Sequence, residues 1–425
     1  MSRNGGGDEG GEEMMSVQEW GVMSNVMDSP FFSYLTLHQI AKILKVVVNS
    51  NYQIFKRFFM ENPMKNASIV GVDLSKNYMH VVFTTGNGTV IQRKRYYKAS
   101  LAELAKDLPP KVTVCAEACA GAHFFGRFLE SLGFTVKLIP PQYVKPYVQR
   151  NKNDFNDAEA IAEAAGRKKT KFVPIKTEYL QGVQSLHTIR SQIVSVRTQF
   201  FNCMRGVLSE FGVKVSQGVS SIRRYLSEEY DNDERVNCYT RLAIDALLRV
   251  MKEIDAAYDK VDSEIRKVAR TNKKAKQLIT IPGIGVLTAT ALLTVSGDPH
   301  IFKNGRAFSA CIGLVPKQDT TGEKPKLLGI SKQGNRYVRH LLTICARTLM
   351  IKANRTVVSK HTQRNEYKSN DKMSLWIRKL LARNVHTNKV CIAIANKLAR
   401  ISYRILVDDK VQYNANLSND RVLMQ

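Results

Sequence analysis

The sequence predicts an α/β domain followed by a helical coiled-coil arm and a mainly α-helical C-terminal domain. Three patterns carry that prediction. Short runs rich in β-branched residues, separated by turn residues between 69 and 96, give way to alternating strand and helix signals up to about residue 165. A long stretch without strand signals follows over 177–270. Within it Ile244, Leu247, Met251, Ile254, Tyr258, Val261, Ile265 and Val268 recur at alternating intervals of three and four, a heptad seam. Beyond Lys273 the periodicity is again helical, and the composition becomes strongly basic.

Residues 1–63 read as an N-terminal extension, partly disordered. Residues 1–16 are Gly/Glu-rich, and Phe31–Phe59 has the apolar spacing of one or two amphipathic helices (Tyr34, Leu35, Ile40, Ile43, Leu44, Val47). Strands are expected over Ile69–Leu74, Tyr78–Thr84 and Thr89–Tyr96, with Gly86-Asn-Gly88 as the turn before the third. Ser100–Leu108 reads as a helix stopped by Pro109-Pro110. Then come strand Val112–Ala116, helix Ala120–Leu132, strand Thr135–Ile139 and, past Pro140-Pro141, a helix over Asp157–Ala165. The order βββαβαβα is that of an RNase H-like domain, assigned to residues 64–175.

Residues 176–275 form the arm, with two limbs broken near Gly212–Gly218. The seam in the second limb closes either on the first limb of the same chain or on another copy; the pattern is compatible with both. Residues 276–406 form the C-terminal domain. It opens on Ile279-Thr-Ile-Pro-Gly-Ile-Gly-Val-Leu287, where a Pro-Gly-Ile-Gly turn precedes the helical Thr288–Val295. That turn is like the hairpin of helix-hairpin-helix modules, whose backbone N–H groups hold a DNA phosphate without reading bases. A polar, Gly-bearing segment is expected from Gly313-Leu-Val-Pro316 to Asn335, then helices over Tyr337–Lys352, Met373–Leu381 and Lys389–Leu406, with 407–425 as a tail.

Four acidic residues stand where an acid is costly: Asp73 inside the first strand, Glu117 at the end of the fourth, and Asp154 and Asp157 three apart, sharing one helix face. Carboxylates brought so close repel one another unless metal neutralises them. Mg²⁺ or Mn²⁺ takes oxygen ligands and shares its shell with phosphate, so the four mark a phosphodiester site. Taken singly, a helix cap at Asp154, a solvated Asp157 and a chance Glu117 are ordinary; their joint placement in this strand order is not.

Lys plus Arg number 64 against 37 Asp plus Glu, a net charge of +27 that points to a polyanion such as nucleic acid. Residues 301–425 hold 24 basic and 7 acidic residues, net +17, whereas residues 1–63 hold 5 and 7, net −2. The C-terminal third is the expected nucleic-acid face; the alternative is a solvated basic surface. Seven scattered cysteines with no CxxC pair read as reduced thiols, not as a zinc knuckle or a disulfide framework. There is no signal peptide pattern and no apolar run of the ~18–20 residues that span a bilayer, so a cytoplasmic protein without a membrane partner is expected.

The runs Gly71-Val-Asp-Leu-Ser-Lys76, Pro140-Pro-Gln-Tyr-Val-Lys-Pro146, Arg150-Asn-Lys-Asn-Asp154, Pro282-Gly-Ile-Gly285, Gly313-Leu-Val-Pro316, Gly329-Ile-Ser-Lys-Gln-Gly-Asn335 and Ile394-Ala-Asn-Lys-Leu-Ala-Arg400 resemble the DEDD-type transposases of bacterial insertion sequences, the family that includes Piv-like DNA invertases. The resemblance runs from about Met64 to about residue 406. It implies a RuvC-like domain, a coiled coil and a C-terminal transposase domain. It further implies action with a structured non-coding bridge RNA that pairs with donor and target double-stranded DNA, in the bacterial cytoplasm at the nucleoid. A homo-oligomer, a dimer of dimers, is implied as well, in which the acidic site of one protomer meets a nucleophilic hydroxyl of another.

Carried over by position, Asp73, Glu117, Asp154 and Asp157 match the family's metal-binding, catalytic tetrad. The family's nucleophilic serine precedes a glycine shortly after the Gly-Leu-x-Pro motif. Here Gly313-Leu-Val-Pro-Lys-Gln-Asp-Thr-Thr-Gly322 places Thr321 at that position and Thr320 beside it. A threonine hydroxyl is a nucleophile, but its β-methyl crowds an in-line attack and stiffens χ1. Attack by Thr321, replacement by Thr320 or Ser331, and impaired strand transfer all stay open. The expected function is metal-dependent, RNA-guided DNA cleavage and rejoining. The alternatives are a site-specific invertase, a RuvC-like nuclease in which water attacks, and a catalytically impaired nucleic-acid-binding relic.

Overall fold

The computed structural model describes residues 63–148, 153–321, 324–358, 365–367 and 371–413. The expectations for residues 1–16 and 31–59 lie outside them. The chain divides into two units, one running through Ile175 and the other starting at Lys176.

The first unit is built on five strands, β1 (Ile69–Leu74), β2 (Tyr78–Thr84), β3 (Val90–Tyr97), β4 (Thr113–Glu117) and β5 (Thr135–Ile139), in the order β3-β2-β1-β4-β5. β1, β2 and β3 pair antiparallel, and β1–β4 and β4–β5 pair parallel. Alternation along the strands sorts the side chains onto two faces. Val70, Val72, Leu74, Met79, Val81, Phe83, Val114, Ala116 and Leu138 face one core, shared with Leu104 of α1 (Leu101–Asp107) and with Phe125 and Leu129 of α2 (Ala122–Ser131). Cys115 and Ile139, on the opposite face, pack under Ala160, Ile161 and Ala164 of α3 (Asp154–Gly166). α3 starts three residues before the expected Asp157 because the Asn153 side chain accepts a hydrogen bond from the Phe155 N–H (3.0 Å) and caps it there.

In the second unit α4 (Glu178–Glu210) and α6 (Cys238–Thr271) lie side by side, antiparallel, with a short α5 (Val219–Glu228) between them where the sequence suggests only a break. Gly212 and Gly218, both at positive φ, bracket the chain reversal before α5. The heptad seam turns onto α4 of the same chain: Ile244 and Met251 are buried with Phe201, Met204 and Leu208. Of the two arrangements open to the seam, the intrachain hairpin is the one described.

The rest is mainly helical: α7 (Lys273–Ile279), α8 (Val286–Ser296), α9 (Gly305–Cys311), α10 (Arg336–Asn354), α11 (Lys372–Leu381) and α12 (Thr387–Val407), around Leu278, Leu292, Phe308, Leu342, Ile377, Ile394 and Leu398. The segment read as polar and Gly-bearing forms an antiparallel hairpin of β6 (Pro316–Thr321) and β7 (Lys324–Ile330). A second small hairpin pairs β8 (Thr356–Val358) with β9 (Asn365–Tyr367). No helix among the described residues is long and apolar enough to cross a membrane.

Candidate active site

Asp73 shares strand parity with Gly71, and Glu117 with Cys115, so both carboxylates stand on the sheet face that α3 covers. Gly71 is what lets α3 come down: a Cβ there would lie 2.1 Å from the Ala158 carbonyl oxygen and 2.9 Å from the Ala162 Cβ. The first turn of α3 carries Asp154 and Asp157. The sheet and this one helix therefore bring all four acids to a single edge of the domain, each within electrostatic reach of another member of the group.

The electrostatics register the crowding. Burial raises the Asp73 carboxyl above its ordinary value and the charges of Asp154 and Asp157 raise it further, while a hydrogen bond donated by the Ser75 hydroxyl (3.0 Å) and the His80 ring act in the other direction. Burial likewise raises Glu117, with Asp73 and Asp157 adding to it and Lys145 opposing. Partly buried carboxylates repelling one another in this way are a donor set matched to a hard divalent cation.

His80, which sequence reading missed, stands among the candidate acids. It pairs directly across the β1–β2 ladder with Asp73. One of its ring nitrogens and one carboxylate oxygen each of Asp73 and Asp154 lie within 4.8 Å of one another. Nδ1 is 3.5 Å from the Asp154 carboxylate and has no hydrogen-bond partner among the described residues, although the ring is buried and held edge-on by Phe155. The signal was present in the register of the Asp73–His80 hairpin, which has to be paired before it is visible.

The candidate hydroxyls belong to the second unit. Thr321 ends β6, and its backbone pairs with Lys324. Thr320 is exposed, and its hydroxyl accepts a hydrogen bond from the Gln318 side-chain amide (2.9 Å). Ser331 follows β7, with its N–H bonded to the Val315 carbonyl (2.8 Å) and its hydroxyl oxygen buried without a partner among the described residues. In the same unit the Pro282-Gly-Ile-Gly285 turn joins α7 to α8, with Gly283 at φ 82° packed against Leu349 and no side-chain cap on α8. Arg266, Arg270 and Lys276 line a cleft beside Val286, the first residue of α8.

The model of a DEDD-type insertion-sequence transposase domain matches residues 70–212, which include the four acids. A second, described as the transposase IS116/IS110/IS902 family, matches residues 275–363, which include the turn and the β6–β7 hairpin. Among curated proteins, the transposase for insertion sequence element IS1328 of Yersinia enterocolitica is 37% identical over 82% of this chain and 99% of its own length. The transposase for element IS1111A of Coxiella burnetii is 37% identical over 83% and 93%. A pilin gene-inverting protein of Moraxella lacunata is 26% identical over 43% and 53%. A match of this extent, through nearly the whole length of two insertion-sequence transposases, makes the chain a member of the IS116/IS110/IS902 transposase family, and a DNA transposase.

Proposed function

We propose that the chain cleaves and rejoins DNA at the edge where Asp73, Glu117, Asp154 and Asp157 converge. The observation that carries this reading is the convergence itself: four carboxylates from β1, β4 and α3 on one sheet face, two of them with raised affinity for protons. A divalent cation, Mg²⁺ or Mn²⁺, held there supplies Lewis-acid stabilisation of the charge that develops on a phosphate oxygen. The RuvC-like domain spans 64–175, the arm 176–275 and the transposase domain 276–406.

The Thr321 hydroxyl attacks phosphorus. A threonyl–phosphate ester forms as the bond to the leaving strand breaks, the hydroxyl proton passes to the departing oxygen, and reversal with a second strand end restores a phosphodiester. Thr320 and Ser331 are the substitutes if Thr321 is structural. A structured RNA from the element selects donor and target, with the basic residues 301–425 on the phosphates. Copies assemble as a dimer of dimers, so that hydroxyl and acid site meet between protomers at the nucleoid. Site-specific inversion is the second reading, favoured by the likeness to the pilin gene-inverting protein.

A covalent-adduct assay tests the proposal. The expected result is a phosphothreonyl–DNA peptide at Thr321 that is lost in Thr321→Val and kept in Thr321→Ser, with cleavage lost in Asp73→Ala. Cleavage without an adduct would point to water as the nucleophile, and undiminished cleavage by Asp73→Ala would remove the acid site. Equal affinity for any duplex, with no preference for RNA folded from the element's flank, would remove the guide and leave the invertase.

A further inference from the structure

We propose that Tyr78, Arg95 and Tyr97 form a ledge beside the acid cluster that stacks an unpaired base of the DNA strand being cleaved. The inference rests on the acids being the site of cleavage. It begins with register: Asp73 pairs with His80 across β1–β2, and His80 pairs with Arg95 across β2–β3. Directly paired residues project to the same side of a sheet, so Asp73, His80 and Arg95 form one row on the face that bears the acids. Tyr78 and Tyr97 pair with each other two residues along, which returns them to that same face as the next row.

The two rings are 4.9 Å apart, inclined at 37°, and the Arg95 guanidinium lies 4.6 Å over the Tyr78 ring. Tyr97 is 62% exposed. Its neighbour Tyr96 shows what an aromatic in the core does here: it points to the opposite face, is buried, and its hydroxyl bonds Asp107. The cations of β3 divide in the same way. Lys94 is paired with Asp107 on that other face, and Arg93 is tied to Glu159 of α3 (2.7 Å), whereas Arg95 is spent on the open aromatic row. The exposed Tyr97 ring, backed by the half-buried Tyr78 and its guanidinium, suits an unpaired base and its phosphate; a duplex hides its base faces. The neighbouring row is the one in which a scissile phosphate sits, so the natural occupant is a nucleotide adjacent to the cut.

The test uses the full chain with chelator present, so that no strand is cut, and a single-stranded DNA containing 2-aminopurine. Stacking on the ledge quenches the fluorophore. Tyr78→Ala/Tyr97→Ala is expected to abolish the quench and weaken binding by roughly 10- to 100-fold, with duplex affinity unchanged. Tyr97→Ala alone, at an exposed position, is expected to lose part of the quench, and the double Phe variant to keep it all. Full quenching by the double Ala variant would overturn the proposal, as would a loss confined to RNA of the same sequence. Cleavage that persists in Asp73→Ala would remove the acid-site reading without moving the quench, so the two failures are separable.

Discussion

Gly71 and Ala158 meet backbone to backbone: a β-carbon on Gly71 would lie 2.1 Å from the Ala158 carbonyl oxygen. This contact, two residues before Asp73 and four after Asp154, sets the separation between the acid on the sheet and the acids on the helix. Gly71→Ala is therefore expected to lift α3, destabilise the first unit by about 1–3 kcal/mol, and lower cleavage far more than the loss in melting temperature explains. A variant with normal melting and normal cleavage would show that α3 does not register on this glycine.

The crowded carboxylates give a pH dependence of definite sign. Asp73 and Glu117 bind protons more tightly folded than unfolded. Their contribution to stability is full below the ordinary carboxylate range and is lost as pH rises through their raised values. In chelator, the melting temperature of the wild-type chain relative to Asp73→Asn should fall over that window. Added Mg²⁺ should reverse the difference at neutral pH.

Truncating His80 tests its place in the site. Its ring stands between Asp73 and Asp154 and is propped by Phe155, so His80→Ala should leave the fold intact and weaken Mn²⁺ binding roughly 10- to 100-fold, the usual cost of losing a group that orients metal ligands. Calorimetric titration with Mn²⁺ reads this without DNA. Unchanged affinity would make the ring a packing residue.

His187, buried in the second unit, predicts the opposite slope. The Thr290 hydroxyl donates to the Val286 carbonyl (2.8 Å), so it accepts from Nε2–H of His187 (2.9 Å), leaving Nδ1 to accept from the Tyr337 hydroxyl (3.1 Å). Burial, helped by the Arg190 charge, holds the ring's pKa down to about 4. Since the unfolded ring titrates near 6.5, the neutral ring's stabilisation is full above about pH 6.5 and falls by about 3 kcal/mol as pH drops to about 4. Denaturant melts of the wild type and His187→Gln at pH 7 and pH 4.5 should converge as pH falls.

The placement of the acids was legible because each lies in a strong local pattern: an apolar strand around Asp73, a strand end at Glu117, a short helix beside Asp154 and Asp157. What escaped depends on pairing between distant residues. His80, Tyr78 and Tyr97 look like an ordinary half-buried strand and its edge until β1, β2 and β3 are set in register. The β6–β7 hairpin escaped for another reason: Lys317-Gln-Asp-Thr-Thr321 is polar on both faces and gives no alternation to read. The seam from Ile244 to Val268 was plain, but a period of three and four does not say whose helix fills it; over Ile244 and Met251, Phe201 and Met204 of the same chain do.

The capped start of α3 has one more consequence. Asp154 and Asp157 occupy its first turn, where unpaired N–H groups and the aligned peptide dipoles amount to roughly half a positive charge. The fold thus carries a standing counter-charge for its own acids, which eases their gathering at one edge of the sheet. That same partial charge would oppose a cation at the proposed site, so the helix that gathers the acids also limits how tightly they would hold one.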